Sequence, residues 1–269
     1  MLYLVGLGLG DHKDITVRGL EAVRSCDFVY LEHYTSILMV DTDKLVELYG
    51  REVIVADREF VESGCEGMLE QARDHKVAFL VVGDPFAATT HSDLFLRART
   101  MGVETEIIHN ASIMSAVGAT GLQMYRFGQT ITIVYFTETW KPESFYDRLV
   151  ENKKMDQHSL CLLDLKVKEQ SIENLMKGNK VYEPPRFMTV NEAVEQLLYL
   201  EEKRGEGVCT PDTLAMGLAR VGTSTQDISS GTLAELLKHD FGGPLHSLVI
   251  CGSMHVLEQE MFDFYRIRE

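Results

Sequence analysis

Two short segments have the residue types and spacing to hold a small molecule. Gly6-Leu-Gly-Leu-Gly-Asp11 follows the apolar run Leu2-Tyr-Leu-Val5, and Gly83-Asp-Pro-Phe86 follows Val77-Ala-Phe-Leu-Val-Val82. Glycines at the end of a buried strand let main-chain groups come close to a ligand, and the carboxyl ends of parallel strands are where open α/β sheets place their sites. Each loop also carries an aspartate that can face positive charge. The first loop begins like a dinucleotide fingerprint, but G-x-G-x-x-G requires glycine at position 11, where Asp11 stands. An aspartate there repels a pyrophosphate and tolerates a cation. Glu32, the next acidic residue at a strand end, lies farther along the chain than the ~20 residues of that fingerprint. The structural alternative for Gly6–Gly10 is a tight turn that needs small residues.

Other side chains with chemical capacity are scattered. His246 follows Gly242-Gly-Pro-Leu and could hydrogen-bond a ligand or titrate near neutrality, against the simpler reading of a structural histidine at a strand start. His91 and His109 fall near the expected site, and both are read as structural. Neither they nor the pair His246 and His255 have metal-ligand spacing with a third partner, so no metal is expected. Arg186 and Arg220 could meet a substrate carboxylate or form exposed salt bridges. No residue is marked as the catalytic base.

These residues must be positioned by folded elements, and the composition supports that. The chain has 269 residues, 45% of them hydrophobic, enough for one large or two moderate cores. A formal charge of −15 argues against broad contact with a phosphate backbone, so direct nucleic-acid binding is not expected. The five cysteines are odd in number and lack a C-x-x-C pair, which disfavours a disulfide framework. Cys161 and Cys251 sit in apolar runs and are expected in the core, and reduced cytosol is the expected compartment. Met1 leads straight into the first apolar run, and no run approaches the ~20 residues that span a bilayer, so a soluble chain without membrane association is expected.

Strand-like and helix-like segments alternate at first. Asp14 or Thr16 can cap a helix with Val17, Leu20 and Val23 on its apolar side, and Phe28–Leu31 returns as a strand. A helix over Met68–His75, the strand 77–82, a helix over Ser92–Met101 and a strand over Val103–Ile108 continue the pattern. Strands apolar on both faces belong in a parallel sheet covered by helices. Past Ser112 the pattern changes to mixed α/β, with strands near Thr130–Phe136, Leu160–Leu165, Leu214–Val221 and Ser247–Cys251. Helices are expected near Ser171–Met176 and over Asn191–Glu202, with a turn-rich connector at Lys177–Pro185 and an exposed loop at Lys203–Gly207. Two unlike α/β domains, 1–112 and 113–269, are the expected division.

Taken together, several motifs resemble one family. Tyr3-Leu-Val-Gly-Leu-Gly-Leu-Gly10, Gly83-Asp-Pro-Phe-Ala-Ala-Thr-Thr-His91, His109-Asn-Ala-Ser-Ile113 and Gly242-Gly-Pro-Leu-His-Ser247 are similar to the diphthine synthases, S-adenosylmethionine-dependent enzymes of the tetrapyrrole methylase fold. Cys161–Gln170, Tyr182–Arg186 and Gly217–Gly222 extend the likeness over nearly the whole chain and favour the eukaryotic branch. The resemblance implies two α/β domains with the ligand cleft between them. It also implies S-adenosyl-L-methionine as methyl donor, contacted by Leu9, Asp84, Ala87, Ser112 and Ile113 in the first part and by Leu163, Val221 and His246 in the second. The implied protein substrate is elongation factor 2, on which a 3-amino-3-carboxypropyl histidine receives successive methyl groups ending in a methyl ester, and the implied assembly is a homodimer. The residues alone keep two other classes open, a nicotinamide-linked oxidoreductase and a non-catalytic nucleotide sensor. Because a sulfonium methyl is already electrophilic, alignment of the reactants is expected to dominate, with no single indispensable general base.

Overall fold

The computed structural model describes residues 1–34, 36–38, 40–170, 176 and 181–268, and the chain divides into two compact units, Met1–Ala116 and Val117–Glu269. The division falls just past the expected boundary at residue 112.

The first unit is built on a parallel sheet of five strands: β1 (Leu2–Gly6), β2 (Phe28–Glu32), β3 (Val53–Ala56), β4 (Val77–Val81) and β5 (Thr105–Ile108), in the order β3-β2-β4-β1-β5. Among the described residues it is accompanied by the helices α1 (Val17–Ser25), α2 (Thr42–Tyr49), α3 (Arg58–Ser63), α4 (Glu66–Asp74), α5 (His91–Thr100) and the single turn α6 (Ile113–Ala116). Successive strand residues point to opposite faces. Thus Leu2, Leu4, Phe79 and Val81 pack with Leu69 of α4 and Leu94 of α5, while Val5, Ala78 and Leu80 pack with Val23 of α1 and Leu45 of α2. Cover on both faces is why β1 and β4 are continuous apolar runs. The chain leaves β1 in one direction, through α1 to β2, and leaves the neighbouring β4 in the other, through α5 to β5. Right-handed crossovers put those helices on opposite faces, so the carboxyl ends of β1 and β4 flank a topological switch point.

Local signals explain the element boundaries. Thr16, rather than Asp14, caps α1, its Oγ1 accepting from the Gly19 amide at 3.0 Å. The sequence reading has no strand between Leu31 and Val77; β3 is a four-residue edge strand whose Ile54 and Val55 are exposed, so it lacks the apolar run that marks a central strand.

The second unit carries a mixed sheet: β6 (Ile131–Ile133), β7 (Ser159–Leu163), β10 (Leu214–Ala219), β11 (Asp227–Thr232) and β12 (His246–Ile250), in the order β11-β10-β12-β7-β6. Only β6 and β7 pair in parallel; the other neighbours are antiparallel. A short ribbon joins β8 (Leu165–Lys166) to β9 (Arg186–Phe187), and helices among the described residues include α7 (Ser144–Lys154), α8 (Val190–Arg204), α9 (Leu233–Leu236) and α10 (Val256–Phe264). Its core joins Leu149, Cys161, Leu197, Leu200, Ala215, Phe241 and Leu248. The expected helix near Ser171–Met176 and the start of the expected connector fall on 171–175 and 177–180, outside the described residues.

The expected loop at Lys203–Gly207 is corrected at its start. Lys203 and Arg204 are the last turn of α8, which ends on Gly205 at φ +65°, a left-handed stop suited to glycine. Glu201 secures that end: its carboxylate accepts from the amides of Gly207, Val208 and Cys209 and from the Tyr146 hydroxyl. A second buried acid, Glu258 on α10, accepts from the Gln123 amide at 2.7 Å and from His158 Nε2 at 3.1 Å, while His158 Nδ1 accepts from Gly252.

Candidate functional site

In the first unit the two glycine loops are joined to each other. The Gly8 amide donates to the Gly83 carbonyl at 3.2 Å and the Gly83 amide to the Gly8 carbonyl at 2.8 Å. Gly8 at φ +82° and Gly83 at φ +80° adopt the left-handed backbone that side chains resist. A Cβ on Gly6 would stand 2.7 Å from the Gly83 oxygen, so the glycines are required by the closeness of the loops themselves. Asn110, just past β5, completes the junction. Its Nδ2 donates to the carbonyls of Gly6 (3.0 Å) and Asp14 (2.9 Å), and its Oδ1 accepts from the Ala111 amide (2.8 Å). Asp14 in turn accepts from the Gly10 amide at 2.7 Å, a role in holding the loop in place of the expected cap.

Asp84 lies at the middle of this arrangement and is 9% exposed. Its Oδ1 accepts from the Phe86 amide at 2.9 Å; its Oδ2 accepts from the Asn110 amide at 3.1 Å and lies 2.8 Å from His109 Nδ1. Burial raises the carboxyl's pKa, but the two amides and the histidine outweigh it and hold the group below the ordinary carboxylate value, so it is ionised near neutral pH. Two oxygens offer about four lone pairs, of which three are engaged, leaving one for a ligand. Ala87 follows in the same turn, its amide on the Asp84 carbonyl at 3.3 Å. The amides of Leu9 and Ile113 have no partner among the described residues. Ser112 Oγ accepts from Met114, and α6 is one turn rather than the longer helix-like run of the sequence reading. Leu9, Asp84, Ala87, Ser112 and Ile113 thus all stand past the carboxyl ends of three adjacent strands, β4, β1 and β5.

The two histidines of this unit differ. His91 is buried between Phe79 and Tyr34, its Nδ1 3.1 Å from the Pro85 carbonyl, and burial lowers its pKa. His109 has a side chain 67% exposed, anchored through Nδ1 to Asp84.

In the second unit, β7 and β10 both run antiparallel to β12, so the carboxyl ends of the first two and the start of the third lie at one end of the sheet. Leu163 closes β7, Val221 lies just past β10, and His246 opens β12. The ring of His246 is committed to the protein: Nδ1 accepts from the Val190 amide at 3.2 Å, and Nε2 donates to the Gly243 carbonyl at 2.9 Å. Burial, its largest influence, lowers its pKa, so the ring is neutral near pH 7 and has no nitrogen left for a ligand. Arg220 is also spent internally, on the carbonyls of Phe241, Gly243 and Thr225. Arg186 lies over the Tyr135 ring at 5.0 Å and 3.8 Å from Glu169. His255 caps α10 through Nδ1 to the Leu257 amide.

The sequence reading gives Asn110 no role of its own and Asp14 only that of a candidate cap, not of a loop anchor. Both stand in segments it had singled out, and a polar side chain directly after an apolar strand is the signal that could have found Asn110. No group of three metal-ligating side chains occurs among the described residues, and no helix of theirs is long and apolar enough to cross a membrane. An ionised carboxylate beside free amides at a switch point suits a small ligand that carries both positive charge and hydrogen-bond acceptors.

Comparison with known proteins agrees with this geometry. A family model described as Tetrapyrrole (Corrin/Porphyrin) Methylases matches residues 1–237. The chain is 55% identical over 271 residues to the diphthine methyl ester synthase of Dictyostelium discoideum, covering 100% of this chain and 99% of that one. It is 57% identical over 274 residues to the diphthine methyl ester synthase of Homo sapiens, covering 100% and 96%. A solved structure of a diphthine synthase superposes with a TM-score of 0.84 at 37% identity, covering 98% of this chain and 95% of that chain.

Proposed function

The chain belongs to the tetrapyrrole (corrin/porphyrin) methylases, and from that premise we propose how its residues serve its reaction. It is an S-adenosylmethionine-dependent methyltransferase of diphthamide biosynthesis. We infer that its substrate is elongation factor 2 carrying a 3-amino-3-carboxypropyl histidine, whose amine is methylated to a trimethylammonium and whose carboxylate is then esterified, a reading supported by relatives named diphthine methyl ester synthase.

The methyl donor is consumed as a co-substrate: its sulfonium supplies an activated methyl group. In this proposal Asp84 faces the positive end of the donor, the amides of Leu9 and Ile113 meet its acceptors, and Ala87 and Ser112 border it. Leu163 and Val221 supply apolar surface. His246 acts by holding the backbone at the start of β12, since both of its nitrogens are engaged. The protein's main contribution is alignment, which can supply ~7 to 11 kcal/mol. The observation that carries the reading is the Gly8–Gly83 junction with ionised Asp84 beside it at the switch point. Calorimetric titration tests it: S-adenosylhomocysteine binds and NAD does not, whereas binding of NAD alone would return the site to the oxidoreductases.

We propose also that the enzyme is cytoplasmic and dimeric. Five free, buried cysteines suit a reducing compartment. Exposed Val256, Leu257 and Phe264 on one face of α10 offer apolar surface for a second copy, which light scattering would detect as a doubled mass.

A further inference from the structure

Facing a methyl donor accounts for Asp84 but not for the exposed imidazole of His109 bonded to it. The imidazole is two-thirds exposed, yet its orientation is set by one bond of 2.8 Å to a nearly buried carboxylate. Asp84 is fixed in turn by the amides of Phe86 and Asn110, and the Phe86 ring lies 6.4 Å from the imidazole. A carboxylate can only accept, so the shared proton resides on Nδ1 and the lone pair of Nε2 points away from Asp84. Nε2 has no partner among the described residues. Asp84 is the titratable group in contact with the ring; the next charged group on β5, Glu106, is paired with Arg18.

We propose that His109, expected from the sequence to be structural, is instead a catalytic general base for the nitrogen methylations, an addition to the alignment expected to dominate, with Asp84 fixing its tautomer. The inference rests on the functional reading above. An aliphatic amine beside a carboxylate is an ammonium near neutral pH and has no lone pair to attack with. His109 Nε2 takes one proton from that ammonium. The freed nitrogen pair forms the N–C bond to the methyl carbon while the C–S bond breaks and its pair remains on sulfur, leaving a neutral thioether. The imidazolium returns its proton to water before the next round. The ester step differs, because a carboxylate is already an anionic nucleophile and has no proton to lose.

That difference supplies the test. His109→Gln is assayed on elongation factor 2 bearing the free amine and, separately, on the factor already trimethylated. Positioned general bases contribute typically 10²- to 10⁴-fold, so nitrogen methylation is expected to fall about a hundredfold in kcat relative to ester formation, and its residual rate to rise with pH as solution base replaces the imidazole. Calorimetry with S-adenosylhomocysteine is expected to show affinity within about threefold of the wild type, since the general-base role concerns the acceptor and not the donor. In the wild-type protein alone, ¹⁵N NMR of neutral His109 is expected to show Nδ1 protonated, and Asp84→Asn to relax that preference. Equal loss of both reactions, loss of neither, or a neutral ring protonated on Nε2 would overturn the proposal. Failure of the wild type to methylate either acceptor would instead overturn the functional reading.

Discussion

Replacing Asn110 by alanine removes the side chain that joins the first glycine loop to the end of β5. Three hydrogen bonds disappear: to the carbonyls of Gly6 and Asp14 and from the amide of Ala111. The bond to Gly6 is partly buried and the other two are exposed, so water replaces the latter at little cost. With net values of roughly 0.5 to 1.5 kcal/mol per bond, the sum is about 2 kcal/mol, held largely in the conformation of residues 6–14. A donor that binds only the ordered loop loses affinity by the fraction of molecules in which the loop is ordered, so the weakening is bounded at roughly thirtyfold. Isothermal titration with S-adenosylhomocysteine and thermal unfolding by circular dichroism read the two consequences. Weaker binding together with a lower Tm is expected. Unchanged affinity and Tm would show that the Gly8–Gly83 junction alone sets the loop, and would refute the role given to Asn110.

Gly217→Ala would place a Cβ 2.2 Å from the Phe241 ring inside the second core, and overpacking of this kind costs about 1 to 3 kcal/mol; Tm falls, and Phe241→Leu restores part of it. Burial holds the pKa of His246, His158 and His91 below 6.5, so their contribution to stability is complete above that pH and is lost as pH falls. Scanning calorimetry between about pH 7.5 and 5.5 should therefore show Tm declining toward acid, and a constant or rising Tm would contradict the burial of these rings. Burial raises the thiols of Cys26 to about 11 and of Cys161 and Cys251 to about 12, so a thiol reagent at pH 8 labels none of the three in the native protein and all of them in denaturant.

The loops were legible in the sequence because the feature that makes them is local. An apolar run covered on both faces that ends in Gly and Asp leaves few alternatives to a strand end at a switch point. Elements whose burial is not written in apolar residues were not legible. Strand β11 buries Ser229 and Ser230, satisfied by Asp227 and His239 and by the Phe262 carbonyl, so its sequence lacks an apolar pattern. Edge strand β3 is short and half exposed, and α7 and α10 pass unmarked among charged neighbours. Side-chain roles were the least legible. His91 and His109 were read alike, yet one is buried against Phe79 and the other is exposed on Asp84, a partner 25 positions away. His246 kept its expected place but not a free nitrogen, because Val190 and Gly243 approach it from other segments.

The central claim concerns the reaction itself. Elongation factor 2 bearing the 3-amino-3-carboxypropyl histidine, incubated with the purified chain and methyl-deuterated S-adenosylmethionine and examined by mass spectrometry, should acquire labelled methyl groups on that one residue, ending at the trimethylated methyl ester. An acceptor whose mass does not change under these conditions would contradict the account.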